Sequence, residues 1–271
     1  MQAAVGYSTR RMRPIFRDRP PATFSPSRWR RIARGIAISL LILFLLTWLP
    51  VLLLRFMPPP TSAFMLERRI GAAIHGEHDF RLRYHWVPWS RISPVAPLAM
   101  VASEDQKFPF HHGFDLDSIH AAINDADHGE RLRGASTISQ QTAKNLFLWN
   151  GRSFVRKGIE AYFTVLIEAT WPKRRILEVY ANIAELGDGI YGVEAAAQSY
   201  WGAHASQLSA RQAALLAAVL PDPRRLHANR PSAYVQRRAT WIERQMAQLG
   251  GVGYVENPNP PRPRDITRRR H

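Results

Sequence analysis

Two acids and a group of cations are the candidates for chemistry in this chain. Glu104 closes the apolar run from Pro94 to Ser103 and is followed by Asp105, Gln106, Lys107 and Phe108. A carboxyl at the edge of an apolar cleft has its pKa raised by desolvation, which suits a general base near neutral pH. The local alternative is a surface acid paired with Lys107 three residues on. The second acid, Glu160, has Arg156 and Lys157 four and three residues before it, so an ion pair on one helix face is the plain reading. Held ionised in this way, it would accept protons poorly and organise cations well. Between the two acids runs Gly134-Ala-Ser-Thr-Ile-Ser-Gln-Gln-Thr-Ala-Lys-Asn-Leu-Phe-Leu148. Thr137 can cap a helix there with Gln140 as capping-box partner, and Gln140 and Gln141 lie one turn from Lys144. A helix start that turns hydroxyls, amides and one lysine to the same place suits an anionic ligand rich in oxygen. A capped helix with a solvated polar face is the alternative. His111 reads as a structural histidine fixing the loop behind Glu104. No second histidine stands at ligand spacing on the same helix face, so no metal site is expected.

Composition bounds what can position these groups. The 271 residues allow one domain with appendages, and 46% apolar content allows a core. There is no cysteine, hence no disulfide framework and no thiolate chemistry. A net charge of +16 calls for an anionic partner: nucleic acid, anionic lipid or a phosphorylated substrate. Residues 1–34 carry nine arginines, prolines at 14, 20, 21 and 26, and one acid, and read as a disordered basic cytoplasmic tail. Residues 35–54 have no charge and match a bilayer core as one transmembrane helix, too long for a signal-peptide core. The arginines before it, against Arg55 alone just after it, put the N-terminus in the cytoplasm and the rest outside. Residues 55–85 form a juxtamembrane linker and small-lobe segment. It has a stiff Pro58-Pro59-Pro60 spacer and an alternating strand-like stretch from Phe80 to Val87.

From Ser93 the pattern is helical. Helices are expected over Pro94–Ser103, Asp117–Asp127, Ser136–Trp149 and Ser153–Trp171, with a loop at His128–Arg133. In the fourth, Val155, Ile159, Tyr162, Phe163, Leu166 and Ala169 should face inward. Pro172 opens a helix carrying Ile176, Val179, Tyr180 and Ile183. Val193–Trp201 follows, stopped by Gly202, then a helix capped by Ser209 with Gln212 and ended by Pro221, then Pro231–Leu249. Residues 251–271 form a basic tail rich in proline and arginine. The fold class is mainly α.

Five blocks carry a resemblance: Glu104-Asp-Gln-Lys-Phe108 with His111, Gly113 and Asp115; Gly134 to Leu148; Arg156-Lys-Gly-Ile-Glu160; Ile176 to Asn182; and Gly189 to Trp201. In order and spacing the chain resembles the peptidoglycan glycosyltransferases that polymerise lipid II, most closely the monofunctional biosynthetic transglycosylases of Gram-negative bacteria. These are related to the glycosyltransferase half of class A penicillin-binding proteins. The resemblance runs from Trp86 to Leu249, plus the anchor. It implies a lysozyme-like, two-lobed helical domain over residues 86–250 with a cleft between the lobes. It makes Glu104 the base that deprotonates the acceptor 4-hydroxyl, and puts Glu160 opposite, near the leaving pyrophosphate. Lys144, Arg152 and Lys157 would hold that pyrophosphate. Asp105, Ser136, Thr137, Gln140, Gln141 and Arg156 complete the substrate-binding set. Asn182 and Glu185 would support the site from behind. Ala181 and Trp201 depart from the family's usual Leu and Phe, which bears on packing.

The implied reaction needs no cofactor, though a divalent ion such as Mg2+ is left open at Glu160. The implied partners are lipid II, the lipid-linked glycan, the bacterial inner membrane and other cell-wall synthesis proteins, not nucleic acid. No lysine has serine three residues before it, so no penicillin-binding nucleophile is expected. A lytic, lysozyme-like glycosidase is the rival, and the cations weigh against it because a neutral glycan linkage needs no pyrophosphate clamp. An anchored scaffold or nucleic-acid-binding protein is the second rival.

Overall fold

The structure, a computed structural model, describes residues 26–117, 136–151 and 153–257. It divides into two units, the first ending at Thr47 and the second beginning at Trp48.

The first unit is most of a long helix, α1 (Pro26–Leu54), whose apolar side chains from Ile36 to Leu46 are exposed. Its stretch Arg28–Leu54 is long and apolar enough to cross a membrane. The helix begins at Pro26 and not at Gly35, so the end of the expected disordered tail is helical. Proline is tolerated there because a first-turn N–H has no intrahelical partner to lose. Arg28, Arg30, Arg31 and Arg34 therefore lie on the helix itself.

The second unit starts with the last turns of α1. The Val51 carbonyl accepts the Trp171 indole N–H at 2.8 Å, and the Leu54 carbonyl accepts the Arg175 guanidinium at 2.8 Å. Next comes α2 (Ala63–Ile74), a helix the sequence reading did not single out, capped by the Ser62 hydroxyl. Arg68 ties it to Asp188 and Glu77 at 2.8 and 2.6 Å. The alternating stretch supplies β1 (Arg83–Tyr84).

The helices that follow fall into two groups. One comprises α3 (Val95–Glu104), α8 (Ala210–Val219), α9 (Ala233–Gln248) and the short α10 (Gly253–Glu256). Buried alanines on α3 (Ala96, Ala99, Ala102) and on α8 (Ala213, Ala214, Ala217, Ala218) let these two lie close. The other group comprises α4 (Ile138–Phe147), α5 (Phe154–Thr170) and α6 (Lys173–Ile183). Between α6 and α7 (Val193–Trp201) lie β2 (Glu185–Gly187) and β3 (Ile190–Tyr191). β3 is central, parallel to β1 and antiparallel to β2. Asn182 clamps the segment before α3 by accepting the Val87 N–H and donating to its carbonyl, both at 2.9 Å. Gly192 passes so close that a Cβ there would sit 2.3 Å from the Asn182 carbonyl oxygen.

A mainly helical domain behind one apolar helix is the expected class. The expected helix over Asp117–Asp127 and the loop at His128–Arg133 lie outside the described residues, apart from Asp117. On α5 the inward face agrees with the expected one in part: Leu166 is buried, Ile159 and Phe163 are half-buried, and the other three expected residues are exposed. Val155 is 73% and Tyr162 41% exposed, and Ala169 is exposed, while Glu160, Thr164, Leu166 and Ile167 are buried. The apolar periodicity pointed partly elsewhere because a carboxylate and a hydroxyl occupy the inner stripe.

Candidate active site

The site forms where the two helix groups meet, at the C-terminal end of α3. An apolar helix, buried from Ala96 to Ala102, delivers Glu104 as its last residue. The chain then turns at Asp105, whose carboxylate is a hub. It accepts the Ile138 backbone N–H at 2.9 Å, at the open start of α4, and the Nε2 proton of His111 at 3.0 Å. The Gly113 N–H donates into Nδ1 of the same ring at 3.2 Å, which assigns the proton to Nε2. His111 thus fixes the loop behind Glu104, the structural role expected of it. A carboxylate at a helix N-terminus also meets orphan N–H groups and the positive end of the helix dipole.

The same loop is pinned to α4 and α5. The Gly113 carbonyl accepts the Thr137 hydroxyl at 2.6 Å. At φ +91° a Cβ on Gly113 would lie 2.8 Å from Thr164 Cγ2. Glu168 takes the Ser139 hydroxyl and Lys173 Nζ, and Lys173 lies over the Phe108 ring. Burial lowers the Lys173 pKa against the pull of Glu168.

Thr137 and Gln140 form the expected capping box: Gln140 N–H to the Thr137 hydroxyl at 3.2 Å, Thr137 N–H to Gln140 Oε1 at 3.0 Å. Both are buried, so the cap occupies these polar atoms. Ser136, just before the cap, is exposed. Gln141 points at the acid. Its Nε2 donates to Glu104 Oε2 at 3.0 Å and its Oε1 accepts the Tyr180 hydroxyl at 2.8 Å. Across the carboxylate, Arg238 of α9 stands 3.6 Å from Oε1. Burial pushes the Glu104 carboxyl above its usual range and the negative charge of Asp105 adds to that. The Gln141 hydrogen bond, Arg238 and Lys144 oppose it.

Glu160 is 3% exposed and takes Arg156 on Oε2 at 2.9 Å and Lys157 on Oε1 at 2.5 Å. Lys144, one turn along α4 from Gln141, feels Glu160, Arg156, Lys157 and Glu104 together. Its pKa is lowered, first by burial. One neighbourhood therefore holds a carboxyl that keeps its proton more tightly than usual, an ion-paired carboxylate and three cations. Such a site can remove a proton from an alcohol on one side and neutralise phosphate charge on the other. Arg152 lies outside the described residues. Among those described, no group of three His, Cys, Asp or Glu could hold a metal.

Of the expected residues, Glu104, Gln141, Lys144, Arg156, Lys157 and Glu160 converge. Asp105, Thr137 and Gln140 stand beside them with their oxygens engaged by the protein. Asn182 clamps Val87 in the segment before α3, and Glu185, in β2, is paired with Arg224 at 3.1 Å. Sequence reasoning missed Arg238, the Tyr180 hydroxyl, and the Ser139–Glu168–Lys173 group. Tyr180 was visible only as one apolar position in a helical stripe, and Arg238 as one arginine of an exposed-looking pair. Neither carries a local signal of its target.

The sequence model of the transglycosylase family matches residues 72–247. A "Biosynthetic peptidoglycan transglycosylase" of Xanthomonas campestris pv. campestris (strain B100) is 54% identical over 233 residues, covering 86% of this chain and 95% of its own. One of the same name from Xylella fastidiosa (strain 9a5c) is 53% identical over 228 residues, covering 84% and 92%. With the family model spanning more than half of its length and such relatives along most of it, the chain belongs to the transglycosylase family, and its chemistry is glycosyl transfer.

Proposed function

We propose that this transglycosylase is a membrane-anchored peptidoglycan glycosyltransferase that polymerises lipid II into β-1,4 glycan strands. The observation that carries it is the half-buried Glu104 carboxyl at the end of the apolar α3, held by Gln141 and raised above its usual range, beside the cation cluster of Lys144, Arg156 and Lys157. Glu104 in its ionised form takes the proton of the acceptor 4-hydroxyl. The freed oxygen bonds to the donor anomeric carbon as the bond to pyrophosphate breaks, inverting that centre. Polyprenyl pyrophosphate leaves with the bonding pair, and Lys144, Arg156 and Lys157, with Arg152, neutralise its charge. Glu160 keeps Arg156 and Lys157 aligned on their helix. These cations can supply charge for the pyrophosphate without a cofactor, and turnover compared with and without a chelator tests whether a divalent ion such as Mg2+ is needed as well. No cross-linking follows the polymerisation.

The domain works in the periplasm, with the N-terminus cytoplasmic and α1 in the inner membrane, because arginines concentrate before the apolar span. The growing glycan chain and other cell-wall synthesis proteins are its partners there. Incubation with labelled lipid II followed by sizing of the product tests the activity. Polymer that disappears when lipid II is replaced by preformed glycan supports synthesis; cleavage of the preformed glycan supports a lytic enzyme instead. A periplasm-active reporter fused after His271 tests the orientation.

A further inference from the structure

Glu104 has a different neighbour on each side. Gln141 of α4 holds Oε2, and Arg238 of α9 faces Oε1. The α4 side leads to the phosphate clamp, since Lys144 is one turn on and Glu160, Arg156 and Lys157 act on it. Among the described residues, the ion pairs of Glu160 run to Arg156 and Lys157 and not to α9, and no α9 residue acts on Lys144. On α9, Tyr234, Arg238, Trp241 and Gln245 follow at i, i+4, i+7 and i+11, which is one stripe of a helix. Two members settle where it faces. Arg238 lies against Glu104, and Gln245 Oε1 accepts the side-chain amide of Gln106, two residues beyond Glu104, at 3.1 Å. Tyr234 and Trp241 stand one turn to either side of Arg238 and are 49% and 40% exposed. Arg238 is itself under-engaged: 3.6 Å is too long for a charged hydrogen bond, and its buried Nε has no partner among the described residues.

We propose that this stripe of α9 is the platform for the acceptor disaccharide, with Tyr234 and Trp241 stacking on its sugar rings. The assignment rests on Glu104 being the base for the acceptor hydroxyl, since it puts the acceptor on the side of Glu104 away from the pyrophosphate clamp. Tyrosine and tryptophan offer broad, rigid, amphipathic surface at low entropy cost, and pyranose rings present apolar C–H faces to such surfaces. Seven helical residues span about 10 Å, close to one β-1,4-linked disaccharide. Arg238 between the two rings supplies donors for sugar oxygens. Aromatic and basic residues also suit a lipid surface. Continuity with Glu104 through Arg238 and Gln245 favours the sugar.

The test is a single-transfer reaction by the full-length chain in detergent. The donor is a lipid-linked disaccharide with its 4-hydroxyl capped, so that it cannot accept. The acceptor carries a phosphonate in place of the pyrophosphate ester, so that it cannot donate. Trp241→Ala and Tyr234→Ala should each raise the acceptor KM about tenfold, leaving the donor KM unchanged, while Trp241→Phe recovers most of the loss. Both side chains are half exposed, and unchanged melting of the variants checks that they fold. An unchanged acceptor KM in both alanine variants overturns the platform. Donor and acceptor KM rising together also overturns it and assigns the stripe to the lipid surface. A parent chain that forms no product overturns the glycosyltransferase reading beneath it, a result distinct from either.

Discussion

The side-chain amide of Gln141 donates to Glu104 Oε2 at 3.0 Å, and it is held in place by the fully buried Tyr180, whose hydroxyl donates to Gln141 Oε1 at 2.8 Å. Because the tyrosine proton fills Oε1, the amide must present Nε2 to the acid. The orientation of the proposed base is thus set from the hydrophobic core. Gln141→Ala should lower kcat by about 100-fold through misplacement of the carboxylate. Tyr180→Phe, which leaves the amide oxygen without its donor, should cost about 1–3 kcal/mol in denaturant unfolding and a smaller part of kcat. A Tyr180→Phe enzyme equal to the parent in both measurements would show that the chain of hydrogen bonds sets nothing.

Glu104→Gln should abolish polymerisation with lipid II binding intact, since the amide keeps the shape and loses the basicity. Its stability should have a sign of its own. The folded-state pKa of Glu104 is raised from 4.5, chiefly by burial, so between that value and the raised one the folded chain holds a proton that the unfolded chain releases. Parental stability therefore falls as pH rises through this window, and Glu104→Gln should not share the fall. Melting of both proteins across acid to neutral pH checks this; parallel curves would contradict the burial argument.

A base with a raised pKa also moves the acid limb of the rate profile upward. Arg238 opposes that rise. Arg238→Met should therefore shift the acid limb of kcat/KM further toward higher pH. A limb that stays in place, or moves to lower pH, would remove Arg238 from the electrostatics of the base.

Lys144→Ala should weaken donor binding by about 1.5–3 kcal/mol, the worth of a charge-assisted hydrogen bond. Because burial lowers the Lys144 pKa, donor affinity should also decline at alkaline pH before ordinary lysines deprotonate. Lys144→Arg should retain its charge to higher pH and lose that decline. Donor binding measured against pH for the three proteins separates the charge from the shape of the side chain.

Gly113→Ala should destabilise the chain by about 1–3 kcal/mol, because the residue sits at φ +91° and the new methyl would meet Thr164 at 2.8 Å. The loop also carries the carbonyl that receives Thr137 and the N–H that orients His111, so turnover should fall too. Unchanged melting would mean that the loop relaxes without cost.

Much of the fold was legible in the sequence because its signals are local. Caps and stops such as Thr137 with Gln140, Ser209 with Gln212, and Gly202 act within a few residues of themselves, and all three fall where expected. The apolar span needs only length and composition. The block order from Glu104 to Glu160 pointed to the family, and charge spacing alone paired Glu160 with Arg156 and Lys157. The inner face of α5 was read only in part: Leu166, Ile159 and Phe163 turn inward, but hydrophobic periodicity assumes that buried means apolar, and Glu160 and Thr164 face inward in place of Val155, Tyr162 and Ala169.

What only the tertiary structure decided is which distant groups share a neighbourhood. Arg238 reaches Glu104 across 134 positions because α9 packs on α3. Tyr180 reaches Gln141 because α6 packs on α4, and Asp105 caps α4 from the turn that follows α3. No local pattern encodes such pairings, because helix packing constrains volumes and angles and leaves the identity of the touching pair to the whole core. The residue types that can do the chemistry were therefore readable along the chain. The burial that raises Glu104 and lowers Lys144 was not, since desolvation belongs to the packed surroundings.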